Sequence, residues 1–136
     1  MRDPLGTVLV VIRDDATVAS LVGSKVSTVA EDPPAVRLRA MPRSLFPFGP
    51  GSGHLGMQLW RGIAQCYGPD TNQGEMLASQ LAGAVADALN HQRVNGTTFI
   101  WRTYVPEIGE VLRDPDSLWP YSTVRIEAYA ATQAVT

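Results

Sequence analysis

The sequence predicts an α+β domain in which one antiparallel sheet carries helices on a single face. Three observations support this. First, 74–90 (GEMLASQLAGAVADALN) is the long helical segment of the chain, with Met76, Leu77, Leu81, Ala84, Val85, Ala88 and Leu89 spaced three and four apart. Second, 97–105 after it is rich in aromatic and β-branched residues, as strands are, and 55–67 before it reads as the strand that feeds it. Third, the turns between these pieces are short, which favours antiparallel pairing. A helix with one apolar face needs a sheet beneath it, so the expected class is a sheet with a single helical layer.

Asp3-Pro4 opens a first helix over 4–13, with Leu5, Val8, Leu9 and Ile12 on one face. Asp14 and Asp15 interrupt it. Asp15 is placed to cap a second short helix that carries Val18 and Leu21, and Gly23 ends that helix. A short strand is expected at 26–29. Glu31-Asp32-Pro33-Pro34 is a turn, because two prolines cannot continue a ladder. Residues 35–41 then alternate, Val36, Leu38 and Ala40 against Arg37, Arg39 and Met41, as in a half-buried strand.

A glycine- and proline-rich loop is expected over 42–54, within the stretch MPRSLFPFGPGSGHLG. Loops of this length usually have a function or are disordered. Leu45, Phe46 and Phe48 need a surface to bury them, and disordered linkers are poor in aromatics. The next strand, 55–67, is expected to bulge at Gly62 and to feed the long helix through Pro69-Asp70-Thr71, where Asp70 or Thr71 can cap the first amides. After the helix, 92–96 is a turn around Asn95-Gly96. Residues 97–105 form a strand and 106–117 an acidic loop. The final strand, 120–131, turns Val124, Ile126, Ala128 and Ala130 one way and Arg125, Glu127 and Tyr129 the other; the tail from Thr132 is expected to fray.

Residues 1–136 are read as a single domain. With 45% hydrophobic and 18% charged residues, the chain can build an ordinary core. Its eleven basic residues are scattered and the net charge is −2, which weighs against a nucleic-acid binder with a basic stripe. The longest apolar run, 7–12, is too short to span a bilayer, and no leader pattern follows the N-terminus. No membrane association is expected, and the expected location is the cytoplasm or something assembled there. One cysteine, Cys66, permits no internal disulfide.

Chemistry is sparse. His54 and His91 fit no metal spacing, so no metal is expected. Cys66 next to a helix start has the position of an activated thiol, but free cysteine more often packs. Gly49-Pro50-Gly51-Ser52-Gly53 lacks the lysine and following helix of a phosphate-binding loop. The carboxylates of Glu107, Glu110, Asp114 and Asp116 share one loop with Arg113, with no separate acid and base environments. No catalytic residue and no cofactor are expected, and the chain is read as not an enzyme. The outer face of the long helix is more informative. Ser79, Ala82, Gly83, Ala86 and Asn90 are small or uncharged where an exposed face normally carries Lys, Glu and Arg. Such a face admits close approach of a neighbour. Candidate contacts are therefore Leu45, Phe46 and Phe48 on the long loop, Ser79, Gly83 and Ala86 on the helix, and Arg113, Asp114 and Asp116 on the acidic loop.

The order of ATVASLVGSKV, PPAVRLRA, a glycine-rich insertion, AQCYGPDTNQGEMLASQLAGAVADAL and VLRDPDSLWPYSTVRIEAYA resembles the tail terminator (tail-completion) proteins of long-tailed bacteriophages, over about 4–131. The resemblance implies a structural role and a homo-oligomeric ring, expected to be a hexamer. Such a ring caps the tail tube, ends its polymerisation and offers a surface to the head–tail connector, with DNA passing an acidic lumen without specific binding. The location implied is the tail or neck of a virion assembled in the host cytoplasm. A head-closure or stopper ring of the same neck is the neighbouring alternative. A small α+β ligand-binding domain is the alternative from another class, and it requires a concave pocket with convergent polar groups.

Overall fold

The computed structural model describes residues 4–41, 46–48, 57–90, 92–95 and 99–132. Helix α1 spans Pro4–Asp14 and α2 Ala16–Val22, followed by strands β1 (Val26–Ser27) and β2 (Ala35–Ala40). Then come β3 (Phe46–Phe48), β4 (Met57–Tyr67), α3 (Gly74–Leu89), β5 (Gln92–Asn95), β6 (Phe99–Ile108), β7 (Leu112–Arg113) and β8 (Pro120–Thr132). The sheet runs β1-β2-β4-β8-β6-β5, with β3 on β4 and β7 on β8. The α+β class is as expected. The sheet is mixed rather than purely antiparallel, because β1 pairs parallel with β2 through Val26↔Val36 and Ser27↔Arg37. The turn of Glu31–Pro34, with a cis bond between its prolines, lies within the connection that returns the chain alongside itself.

Local chemistry explains the first elements. The Asp15 carboxylate accepts a hydrogen bond from the Val18 amide at 3.0 Å, which satisfies one of the amides left open at a helix start. Gly23 closes α2 at φ 64°, a conformation glycine adopts without penalty, and its amide donates to the Ala19 carbonyl at 2.8 Å. The Arg13 guanidinium donates to the Val26 carbonyl at 2.8 Å, which ties α1 to β1.

The register gives each strand a buried and an open side. Trp60, Ala64 and Cys66 of β4 align with Ala128, Val124 and Ser122 of β8, and all are buried. Val36 and Leu38 of β2 complete that side opposite Cys66 and Ala64. Helix α3 lies on it through Ala78, Leu81, Val85 and Leu89, while α1 and α2 pack beside α3 through Val8, Ile12, Val18 and Val22.

Several expectations change here. Gly62 holds a regular register, Ala40↔Gly62↔Ile126, with no bulge. Its requirement is spatial: the buried Trp60 ring lies where a Cβ on Gly62 would stand. The bulge is instead on β6, where Tyr104↔Glu127 is followed by Glu107↔Arg125. Pro106, which has no amide to give a ladder, sits within it. The expected turn at 92–96 is strand β5 as far as Asn95, and the expected loop at 106–117 begins as the end of β6 and contains β7. The loop expected over 42–54 contains β3, paired to β4 through Phe46↔Leu59 and Phe48↔Met57. Ala40, expected on the buried side, is exposed. Leu45, Ser52, His54, His91, Gly96 and the tail beyond Thr132 lie outside the described residues.

Replacing Gly62 with alanine is expected to destabilise the fold by about 1–3 kcal/mol, since the added methyl overpacks a site filled by a buried indole. Urea denaturation followed by tryptophan fluorescence measures it.

Candidate functional site

Of the expected contact residues, Leu45 lies outside the described residues and Phe46 and Phe48 lie on β3; the others fall into two groups. On α3, the outer row is Met76, Ser79, Gln80, Gly83 and Asp87. Met76 was expected to face inward but is 53% exposed, because it lies across the helix from Ala78 and Leu81. Ser79 is exposed, and a Cβ at Gly83 would meet nothing within 4 Å. Ala86 does not belong to this surface. It is 7% exposed and Ala82 is 0%, and both join the core that includes Val8, Ile12 and Val18. The physical reason is that α3 is covered on two sides, by the sheet and by the N-terminal helices. Part of its small-residue face therefore serves internal helix packing.

The second group is a built node. Arg113 Nη1 donates to Asp70 Oδ1 at 2.9 Å and to the Leu118 carbonyl at 2.9 Å, and Arg113 Nη2 lies 3.2 Å from Glu75 Oε1. One guanidinium thus joins the turn before α3, the first turn of α3 and the loop before β8. This arrangement also explains why α3 has no side-chain cap: Asp70 engages Arg113, and the cap position falls on Gln73. The Asp114 carboxylate accepts from the amides of Asp116 (2.8 Å) and Ser117 (3.1 Å), which draws the loop into a tight turn. Leu118 is held at φ 64°, a left-handed conformation unusual for a non-glycine residue. Beside this node Leu112 and Leu118 stand about half exposed, as does Ile108 at the end of β6. An ordered loop that presents aliphatic side chains to solvent has the character of a contact surface.

The opposite end of α3 is also fastened. The Thr103 hydroxyl donates to the Leu89 carbonyl, and the Val105 amide donates to the Asn90 side-chain oxygen at 3.1 Å, beside the β6 bulge. Sequence reading missed this pair because both bonds cross a strand–helix layer and join residues fourteen and fifteen positions apart.

The face of the sheet turned away from the helices carries no helix among the described residues, although Leu59 and Tyr67 at its two ends are buried. Neighbouring strands place Arg39, Ile63, Arg125 and Glu107 in one row, and Arg61, Glu127 and Tyr104 in the next. Arg61 pairs with Glu127 at 3.4 Å and Arg125 with Glu107 at 3.3 Å. Tyr104 and Tyr129 meet edge-on at 5.6 Å. Tyr67 packs against Trp119 and Tyr121 farther along, and burial pushes its phenol above the ordinary range, partly offset by Arg37. Two depressions lie on this side, one of about 340 Å³ around Arg61, Pro106 and Glu107 and one of about 470 Å³ bounded by Arg102, Tyr104, Glu127 and Tyr129.

Cys66 is fully buried on the helix side of β4, and desolvation pushes its thiol far up, away from the thiolate a nucleophile needs. Among the described residues no group of three His, Cys, Asp or Glu side chains is placed to hold a metal ion, and no helix is long and apolar enough to cross a membrane.

Two backbone amides hold the Asp114 carboxyl below its ordinary range. A depressed carboxyl contributes order above its unfolded value and loses it as pH falls through the folded one. Amide protection at Asp116 and Ser117 is therefore expected to persist at neutral pH and to vanish in acid at or below the ordinary carboxylate range. Asp114→Ala is expected to remove that protection at every pH. Hydrogen exchange followed by NMR across a pH series reads both.

No family model matches the chain, and no curated protein matches it. Among solved structures, the chain is similar to a chain of the structure described as the virion of a native gene transfer agent particle. The TM-score is 0.69 and the identity 17%, and the match covers 96% of this chain and 99% of that one. The two chains share a fold.

Proposed function

We propose that this protein is a structural, non-enzymatic component of a phage-like particle, and specifically a tail terminator. In this reading its copies close into a ring of six that caps the tail tube, ends tube growth and offers the opposite surface to the head–tail connector. DNA crosses the lumen without specific binding. The observation that carries the reading is the end-to-end likeness in fold to a chain of a gene transfer agent virion. The order of sequence motifs that resembles tail terminators supports it independently.

The site geometry suits a protein that works by contact. The Arg113 node braces the loop that presents Leu112 and Leu118, and α3 exposes Met76 beside the small residues Ser79 and Gly83. Both surfaces offer aliphatic area on rigid elements, and ordering them on assembly carries little entropic penalty. A ring requires two different surfaces per copy, so that head-to-tail contacts can close. The α3 row offers one of them, and the 106–117 loop remains to meet the tube or the connector.

Electron microscopy and native mass spectrometry of the purified protein, alone and mixed with tail tubes, test the proposal. Six-fold rings, free or seated on tube ends, with tube length limited when the protein is present during polymerisation, are expected. A chain that neither binds tube ends nor changes tube length would sink the reading.

A further inference from the structure

The strand register gathers charges that are far apart in the sequence. Arg37 and Arg39 of β2, Arg61 of β4, Arg125 of β8 and Arg102 of β6 all lie on the open face of the sheet. Among the described strand residues of that face Glu107 and Glu127 oppose them, both already paired, and the Asp114 carboxylate acts on Tyr67 at its end. Arg39 and Arg102 are exposed and form no ion pair among the described residues. On the described helices and their caps stand Asp14, Asp15, Glu75 and Asp87, with Arg13 the one basic residue there. The net charge of −2 is therefore unevenly divided among the described residues, with excess positive charge on the sheet face and excess negative charge on the helices.

We infer that the open sheet face is the docking surface for a second copy of this chain, which presents its acidic helix side. The contact is head to tail, with Arg39 and Arg102 of one protomer meeting the exposed row of α3 on the next, where Asp87 follows the small residues Ser79 and Gly83. Charge complementarity selects this occupant, since the surface that matches the arginines belongs to the chain itself. The composition of the face agrees. Arginine and tyrosine are the residues enriched where protein interfaces concentrate their binding energy, and Arg102, Tyr104 and Tyr129 line one depression here. The gap at Gly83 gives a long arginine side chain room against the helix backbone. A heterologous contact of this kind is the one a ring repeats, so the inference deepens the ring reading and rests on it for closure.

Two double variants test it. Arg39→Glu with Arg102→Glu reverses the sheet face, and Gly83→Arg with Asp87→Arg reverses and fills the helix face; circular dichroism and thermal unfolding check that each remains folded. Sedimentation of the wild-type chain at millimolar concentration is expected to show self-association that weakens as salt rises. Each variant alone is expected to weaken that association by about a hundredfold, because like charges then face each other. Mixing the two is expected to restore it, because each supplies the half the other lacks. Wild-type-like assembly of the folded sheet-face variant overturns the inference and leaves the ring reading standing. Failure of the mixture to associate also overturns it. A wild-type chain that stays monomeric at low salt overturns it too, while tube-bound rings seen by microscopy would still support the ring. Retention of duplex DNA that the sheet-face variant loses, with self-association unchanged, assigns the face to nucleic acid and overturns the inference.

Discussion

The contact between α3 and the central strands β4, β8 and β6 is made largely of alanine and valine. Ala78, Ala84, Val85 and Ala88 of the helix are buried over a sheet side that carries Ala64, Val124 and Ala128, and Leu81 and Leu89 supply the bulk. Small side chains on both partners let the backbones approach closely, and in a close-packed interior that proximity leaves no room for a change of even one methylene without strain. The remaining elements are arranged by this contact. Helices α1 and α2 find their places on the side of α3 that Ala82 and Ala86 keep low. The Trp60 indole fits beneath the layer because Gly62 yields its space. Both ends of the helix are held by polar bonds, at Arg113 on one side and at Thr103 and Val105 on the other.

That double fastening carries mechanical information between surfaces. The Arg113 node fixes the loop before β8 to the start of α3, and β8 is a central strand whose other side bears Arg125, Glu127 and Tyr129. The loop is thus joined to the helix through Arg113 and to the sheet through the β7–β8 pairing. Exposed ion pairs contribute modestly one at a time. Here the guanidinium also takes up the Leu118 carbonyl, so the geometry of the loop and the pairing reinforce each other.

Elements dictated by neighbours in the chain were readable before the structure. Asp15 and Gly23 bound α2 by chemistry within three or four residues, and the alternation of Val124, Ile126 and Ala128 named the buried side of β8. What depends on distant partners was not readable. Asp70 looked like a cap because the arginine that claims it is 43 residues away. Gln92–Asn95 reads as a turn beside Asn95-Gly96, and only pairing with β6 makes it a strand. Ala86 is indistinguishable in sequence from an exposed alanine until a second helix covers it. The same holds for the candidate surfaces. The basic residues are scattered along the chain, and strand register alone collects five of them on one face.

The buried position of Cys66 has one further consequence. It is the sole sulfhydryl in the chain, it lies beneath α3 without exposed surface, and its proton is held tightly by desolvation. Oxidants and disulfide-exchange partners act on thiolates they can reach. The native molecule therefore offers them no reachable thiol, and its disulfide state is the same in a reducing compartment as in an oxidising one. Copies folded in one environment can meet, associate and persist in another with no mixed disulfides and no need for a chemical maturation step.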